Sequence, residues 1–149
     1  MIKKNLILIS LIFFLTSCGF KPIYLKNTDL SFSIEQVNYK GDRDLNNFLK
    51  TNLIKYKNKK SDNKIYIEAN STYKKIVLSK DSTGEITSYQ LEAEVIFSIM
   101  PLNKKIKIRE KKIMNSKDDK FEEDRYERSV KQNFASSISN KLSTELIVN

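Results

Sequence analysis

Between Ile86 and Met100 the chain alternates: Tyr89, Leu91, Ala93, Val95, Phe97 and Ile99 hold one phase, and Gln90, Glu92, Glu94 and Ser98 the other, with Ile96 the exception. Successive side chains of an extended chain point to opposite faces, so this pattern is that of a strand with one apolar face. Such a strand needs a sheet around it and a second layer over the apolar face.

The covering layer is legible at the C-terminus. Tyr126, Val130, Phe134, Ile138, Leu142 and Leu146 recur every four residues, with neither Gly nor Pro between them. This predicts an amphipathic helix from about Glu122 to Leu146, its apolar stripe drifting across a sheet because the helical period is about 3.6 residues. A shorter helix is predicted over about Arg43–Tyr56, where Leu45, Phe48, Leu49, Leu53 and Tyr56 fall at helical spacing. Tyr39-Lys40-Gly41-Asp42 reads as the turn into it, with Asp42 as N-cap. Leu30, Phe32 and Ile34 alternate with Ser31, Ser33 and Glu35 as a first strand. Ile65, Ile67 and Ala69 open a second, continued in phase by Ser71, Tyr73 and Lys75. Ile76 and Leu78 have the opposite phase, which predicts a bulge between Ser71 and Lys75.

Asp81-Ser82-Thr83-Gly84 makes the following connection a hairpin. Pro101 to Lys104 turns the chain again, and Ile106, Ile108 and Ile113 mark a partly polar fourth strand near a sheet edge. Lys57–Asn63 and Asn115–Lys120 are polar loops. The order β-α-β-β-β-α predicts an α+β two-layer sandwich: a four-stranded, mostly antiparallel sheet with two helices on one face. The other face, carrying Glu92 and Glu94, is left to solvent or a partner.

The N-terminus has a different character. Lys3 and Lys4 precede an apolar run from Leu6 to Leu15, and Leu15-Thr16-Ser17-Cys18 closes it with the only cysteine in the chain. A basic start, a short apolar run and small residues are the layout of a secretory signal. The run is shorter than the roughly 20 residues of a membrane-spanning helix. The ending resembles the bacterial lipobox, which implies cleavage before Cys18 and acylation of that cysteine. Acyl chains anchor because each buried CH₂ contributes about 0.8 kcal/mol. Residues 1–17 are thus read as a lipoprotein signal, 18–29 as a lipidated extended tether and 30–149 as one α+β domain. Gly19 after the cysteine, by resemblance to lipoprotein sorting rules, implies the outer membrane.

Little supports catalysis. The chain has no histidine, and with Cys18 lipidated no thiol remains. Neither a Gly-rich phosphate loop nor a Ser-His-Asp set is present, so no enzyme activity, metal or cofactor is expected. Glu122, Glu123, Asp124 and Glu127 sit in the first turns of the last helix, where negative charge meets the helix dipole favourably. The formal net charge is +9. An anionic partner and a compositional bias towards Lys both account for it; an exported chain makes nucleic acid an unsuitable partner. Lys74, Lys75 and Lys80 flank the hairpin turn, and Lys117 and Lys120 precede the last helix, making them candidates for binding an anionic glycolipid. Lys55, Lys57, Lys59 and Lys60 read as an exposed loop cluster.

Two segments carry a family resemblance. Cys18-Gly19-Phe20-Lys21-Pro22-Ile23-Tyr24 resembles the Cys-Gly-Phe-Arg-Pro-Leu-Tyr opening of the lipopolysaccharide-assembly lipoprotein LptE family, and Thr83-Gly84-Glu85-Ile86-Thr87-Ser88-Tyr89-Gln90-Leu91 resembles that family's turn and following strand. The long C-terminal helix after a charged loop also matches. The resemblance implies a lipid-anchored protein of the outer membrane's periplasmic leaflet that plugs and helps assemble the LptD β-barrel and assists lipopolysaccharide transport. It points to Lys80–Gly84 and Lys120 for glycolipid contacts. Asp81 and Ser82 depart from the pattern, since some members carry a basic residue there. The alternative reading is a freestanding periplasm-facing lipoprotein that binds an anionic ligand or cell-wall component.

Overall fold

The computed structural model of the chain describes residues 32–57, 61 and 63–147. The expected signal over 1–17, Cys18, the expected tether over 18–29, Lys59 and Lys60 lie outside the described residues. The elements run β1 (Ser33–Gly41), α1 (Arg43–Leu53) with a 3₁₀ turn (Ile54–Tyr56), β2 (Lys64–Lys80), β3 (Ile86–Met100), β4 (Lys104–Asn115) and α2 (Lys120–Ile147). The strands form one four-stranded sheet in the order β1-β2-β3-β4. β1 runs parallel to β2, while β2–β3 and β3–β4 are antiparallel. α1 packs on β1 and β2, α2 packs on β3 and β4, and the two helices pack on each other. This is the α+β sandwich with an open second sheet face that the element order predicts.

β3 is the spine of the core. Leu91, Ala93, Val95, Phe97 and Ile99 are buried in strict alternation, as the sequence pattern requires. Ile65, Ile67 and Ala69 of β2 and Ile106 and Ile108 of β4 flank them, and Val130, Phe134, Ile138 and Leu142 of α2 close over the top. At roughly 1.5–3 kcal/mol per fully buried large aliphatic or aromatic side chain, this apolar layer dominates the stability of the fold.

Three local expectations are corrected. β1 does not end before Tyr39 but continues to Gly41, and its register shifts between Ile34 and Gln36. That irregularity moves the core-facing phase from Ile34 to Val37 and Tyr39, which pack against the core. No register shift occurs between Ser71 and Lys75; β2 stays in register with β3 from Tyr66 to Val77 and is irregular only around Ser79. Ile76 and Leu78 therefore stay in their own phase and are exposed, at 41% and 47%. In β4 it is Met114, 2% exposed, that continues the inward phase of Ile106 and Ile108, while Ile113 is 64% exposed on the open face.

At the β1–α1 corner, Asp42 is the helix N-cap: its carboxylate accepts from the Leu45 N–H at 2.8 Å. The Asp42 N–H donates to the Ser71 carbonyl at 3.2 Å, and Asn46 Nδ2 donates to the Lys40 carbonyl at 3.1 Å, tying the corner to β2. Replacing Asp42 by Ala is expected to lower stability by about 1 kcal/mol, the usual cost of a lost cap, and Asp42→Asn by much less. Urea unfolding of the two variants checks this; equal losses would assign the effect to the carboxylate's charge instead.

Candidate functional site

The candidate lysines belong to the end of the sheet formed by the β2–β3 hairpin and the first turns of α2. Asp81 builds the hairpin turn. Its Oδ1 accepts from the Thr83 N–H at 2.9 Å, the Thr83 hydroxyl at 2.7 Å and the Glu85 N–H at 2.9 Å. These bonds, the Thr83 hydroxyl foremost, hold its carboxyl below the ordinary range. Gly84 supplies the positive φ of +89° that the turn needs. The acidic residue that stands where a basic one was sought is thus committed to turn geometry.

α2 starts where the Asp119 carboxylate accepts from the Phe121 N–H at 2.8 Å. One turn in, Glu123 has a side chain only 2% exposed. Its carboxylate takes Lys120 Nζ at 2.6 Å and Lys75 Nζ at 2.8 Å, together with the Ser116 hydroxyl at 3.3 Å and the Lys117 N–H at 3.2 Å. Lys75 also reaches Glu127 at 3.0 Å and lies over the Tyr89 ring, 4.4 Å from its centroid. The two ammonium groups, Lys120 first, hold the Glu123 carboxyl down at about 2, and Glu123 and Glu127 raise Lys75 against the opposing effect of burial. The sequence places Glu123 in the first turns of the last helix, where its charge meets the helix dipole, and does not show these partners. The clue is spacing: Glu123, Glu127, Val130 and Phe134 stand at i, i+4, i+7 and i+11, one face of a helix, opposite a lysine in the inward phase of β2.

The structure brings Lys75 and Lys120 together on one carboxylate and separates the other two candidates from them. Lys74 stands on the open face, in register with Glu92 of β3, and Lys80 is at the exposed hairpin end, in register with Ile86. Neither has an ion-pair partner among the described residues. Lys117 pairs with Glu122 at 3.3 Å. A depression of about 880 Å³ between the hairpin and α2 is bordered by the carboxylates of Asp81, Glu85, Asp118 and Glu123 and by the ammonium groups of Lys117 and Lys120. Glu123 is already paired with Lys75 and Lys120, and Lys117 with Glu122, so the lining residues present no surplus of unpaired cations.

The open sheet face is organised across strands. Glu92 meets Lys111 at 3.2 Å and Arg109 at 3.3 Å, and Glu94 meets Lys107 at 3.0 Å and is held by the Arg109 guanidinium. The cations of β4 thus neutralise the glutamates that look merely solvated in the sequence, because strand register sets Arg109 opposite Glu94 and Lys111 opposite Glu92. Among the described residues no group of His, Cys, Asp or Glu is arranged to hold a metal ion.

An open mixed sheet covered on one face by two helices is a fold found among solved bacterial lipoproteins. The chain is similar to the rare lipoprotein B from Shewanella oneidensis (TM-score 0.54, 15% identity, covering 74% of this chain and 96% of that one). It is similar also to an uncharacterized lipoprotein B from Nitrosomonas europaea (TM-score 0.54, 15% identity, 79% and 86% covered) and a minor lipoprotein from Acinetobacter baumannii (TM-score 0.51, 15% identity, 74% and 94% covered). At these identities the shared property is the fold. No family model and no curated protein sequence matches the chain.

Proposed function

We propose that the protein is a non-enzymatic lipoprotein, acylated at Cys18 and held at the periplasmic leaflet of the outer membrane, which plugs and helps assemble an LptD-like β-barrel and assists lipopolysaccharide transport. The observation that carries the reading is a fold shared with lipoproteins over most of both chains, joined in this sequence to a lipobox ending at Cys18. The Gly-Phe-Lys-Pro-Ile-Tyr continuation after Cys18 supports the narrower assignment. A sheet face laced with ion pairs suits the polar interior of a barrel. For direct contact with an anionic glycolipid, Lys74 and Lys80 are the available cations of the hairpin end; Lys75 and Lys120 are held by Glu123.

Affinity purification of the tagged lipoprotein from detergent-solubilised outer membranes tests this. A large β-barrel protein in stoichiometric yield is expected; recovery of the lipoprotein alone, from membranes where it is abundant, would favour a freestanding ligand-binding lipoprotein. Cys18→Ala is expected to abolish palmitate incorporation and leave the precursor uncleaved. Continued labelling of that variant would remove the anchor argument.

A further inference from the structure

The two neighbours of β2 are of unequal length. β3 accompanies β2 to Lys80, whereas β1 leaves at Gly41, opposite Ser71. Beyond that point, over Thr72–Lys80, no strand and no backbone hydrogen bond occupies the β1 side of β2 among the described residues. This free edge has three consecutive exposed aliphatic residues, Ile76, Val77 and Leu78, at 41%, 43% and 47% exposure. Exposed strand edges pair readily with other extended chains, and proteins ordinarily guard them with charge. The contrast with the other edge is direct: β4 presents Lys105, Lys107, Arg109 and Lys111 at every second position. The β2 edge has no such guard across its aliphatic centre.

We propose that the edge Thr72–Lys80 is a strand-addition site, taking an extended segment of a partner polypeptide that is aliphatic in its middle and acidic at its ends. Main-chain hydrogen bonds to the edge would supply the pairing, and side chains of the added strand the selectivity. The acidic ends follow from Lys74 and Lys80, the cations that bracket the aliphatic residues and have no ion-pair partner among the described residues. The same lysines disfavour a second copy of this chain: antiparallel self-pairing centred on Val77 sets Lys74 opposite Lys80 twice, and like charges directly opposite are destabilising. The inference does not rest on the barrel reading, since any partner offering such a segment fits.

Hydrogen–deuterium exchange on the full chain in detergent tests it, with a blocked synthetic peptide of aliphatic centre and glutamate ends as the probe. The peptide is expected to slow exchange within Thr72–Lys80 by roughly tenfold or more, leaving β4 unchanged. A peptide with the same centre and lysine ends is expected to do so far less. In an Ile76→Asp/Leu78→Asp variant the slowing is expected to vanish; both side chains are exposed, and an unchanged melting temperature verifies the fold. No slowing with the glutamate-ended peptide, equal slowing by both peptides, or slowing retained in the variant would overturn the proposal. So would protection of the edge that rises with protein concentration alone, which would make a second copy the occupant.

Discussion

Gly41→Ala is expected to destabilise the fold by about 2–5 kcal/mol, a large share of the roughly 5–15 kcal/mol that holds a domain of this size together. Gly41 has a φ of +96° at the corner where β1 turns into α1. A Cβ there would lie 1.8 Å from the Ser71 carbonyl oxygen, a main-chain atom of β2. A left-handed conformation costs a residue with a side chain about 1–2 kcal/mol. Relieving the overlap adds about 1–3 kcal/mol, because backbone cannot rotate away as a side-chain tip does. The shift needed also strains the Asp42–Ser71 hydrogen bond and the helix cap beside it. Gly84→Ala is the control: its φ is +89°, yet nothing lies within 4 Å of the added carbon. Only the conformational term remains, about 1 kcal/mol. Urea midpoints of the two variants decide the matter; equal losses would mean that contact with Ser71 contributes nothing.

Glu123→Gln is expected to lower stability at neutral pH by about 2–3 kcal/mol. Breaking a buried pair by removing one partner usually costs about 3–5 kcal/mol. The lower figure applies here because Lys75 keeps Glu127 as a partner and a side-chain exposure of 22%. The pH dependence separates charge from packing. The folded carboxyl is held at about 2, against 4.5 for an unconstrained glutamate, so the folded state binds this proton less readily than the unfolded state. Its contribution is therefore complete above pH 4.5 and lost as pH falls from there towards 2. The gap between wild type and Glu123→Gln is expected to close across that window. A gap that stays constant down to pH 2 would show that shape and hydrogen bonding, not charge, hold α2 to the hairpin.

Both predictions concern contacts between elements far apart in the chain, which is where reading the sequence had least purchase. Period-two alternation in β3 and four-residue periodicity in α2 are properties of a single element, and burial follows them residue by residue from Leu91 to Ile99 and from Val130 to Leu142. Asp42 was legible as a cap for the same reason, since its bond to the Leu45 N–H spans three residues. The phase change in β1 was not legible, because the irregularity at Ile34–Gln36 is defined by pairing with β2. Lys75 was legible as a lysine by the turn in the inward phase of the second strand, but its partner was not, because its union with Glu123 joins residues 48 positions apart.

The sequence alone determined the element order, the apolar face of the sheet and the helices that cover it, because repeating side-chain polarity compels each element to bury one side. It also holds the Leu-Thr-Ser-Cys ending at Cys18 that resembles a lipobox, a pattern readable without any folding. Tertiary structure decided which lysines remain available. Strand register set Lys74 opposite Glu92 with no ion pair formed between them, and the docking of α2 brought Glu123 onto Lys75 and Lys120. Charge is carried by the residue, but whether it is spent on a neighbour or left for a partner depends on distances of a few ångströms that only the packed chain sets.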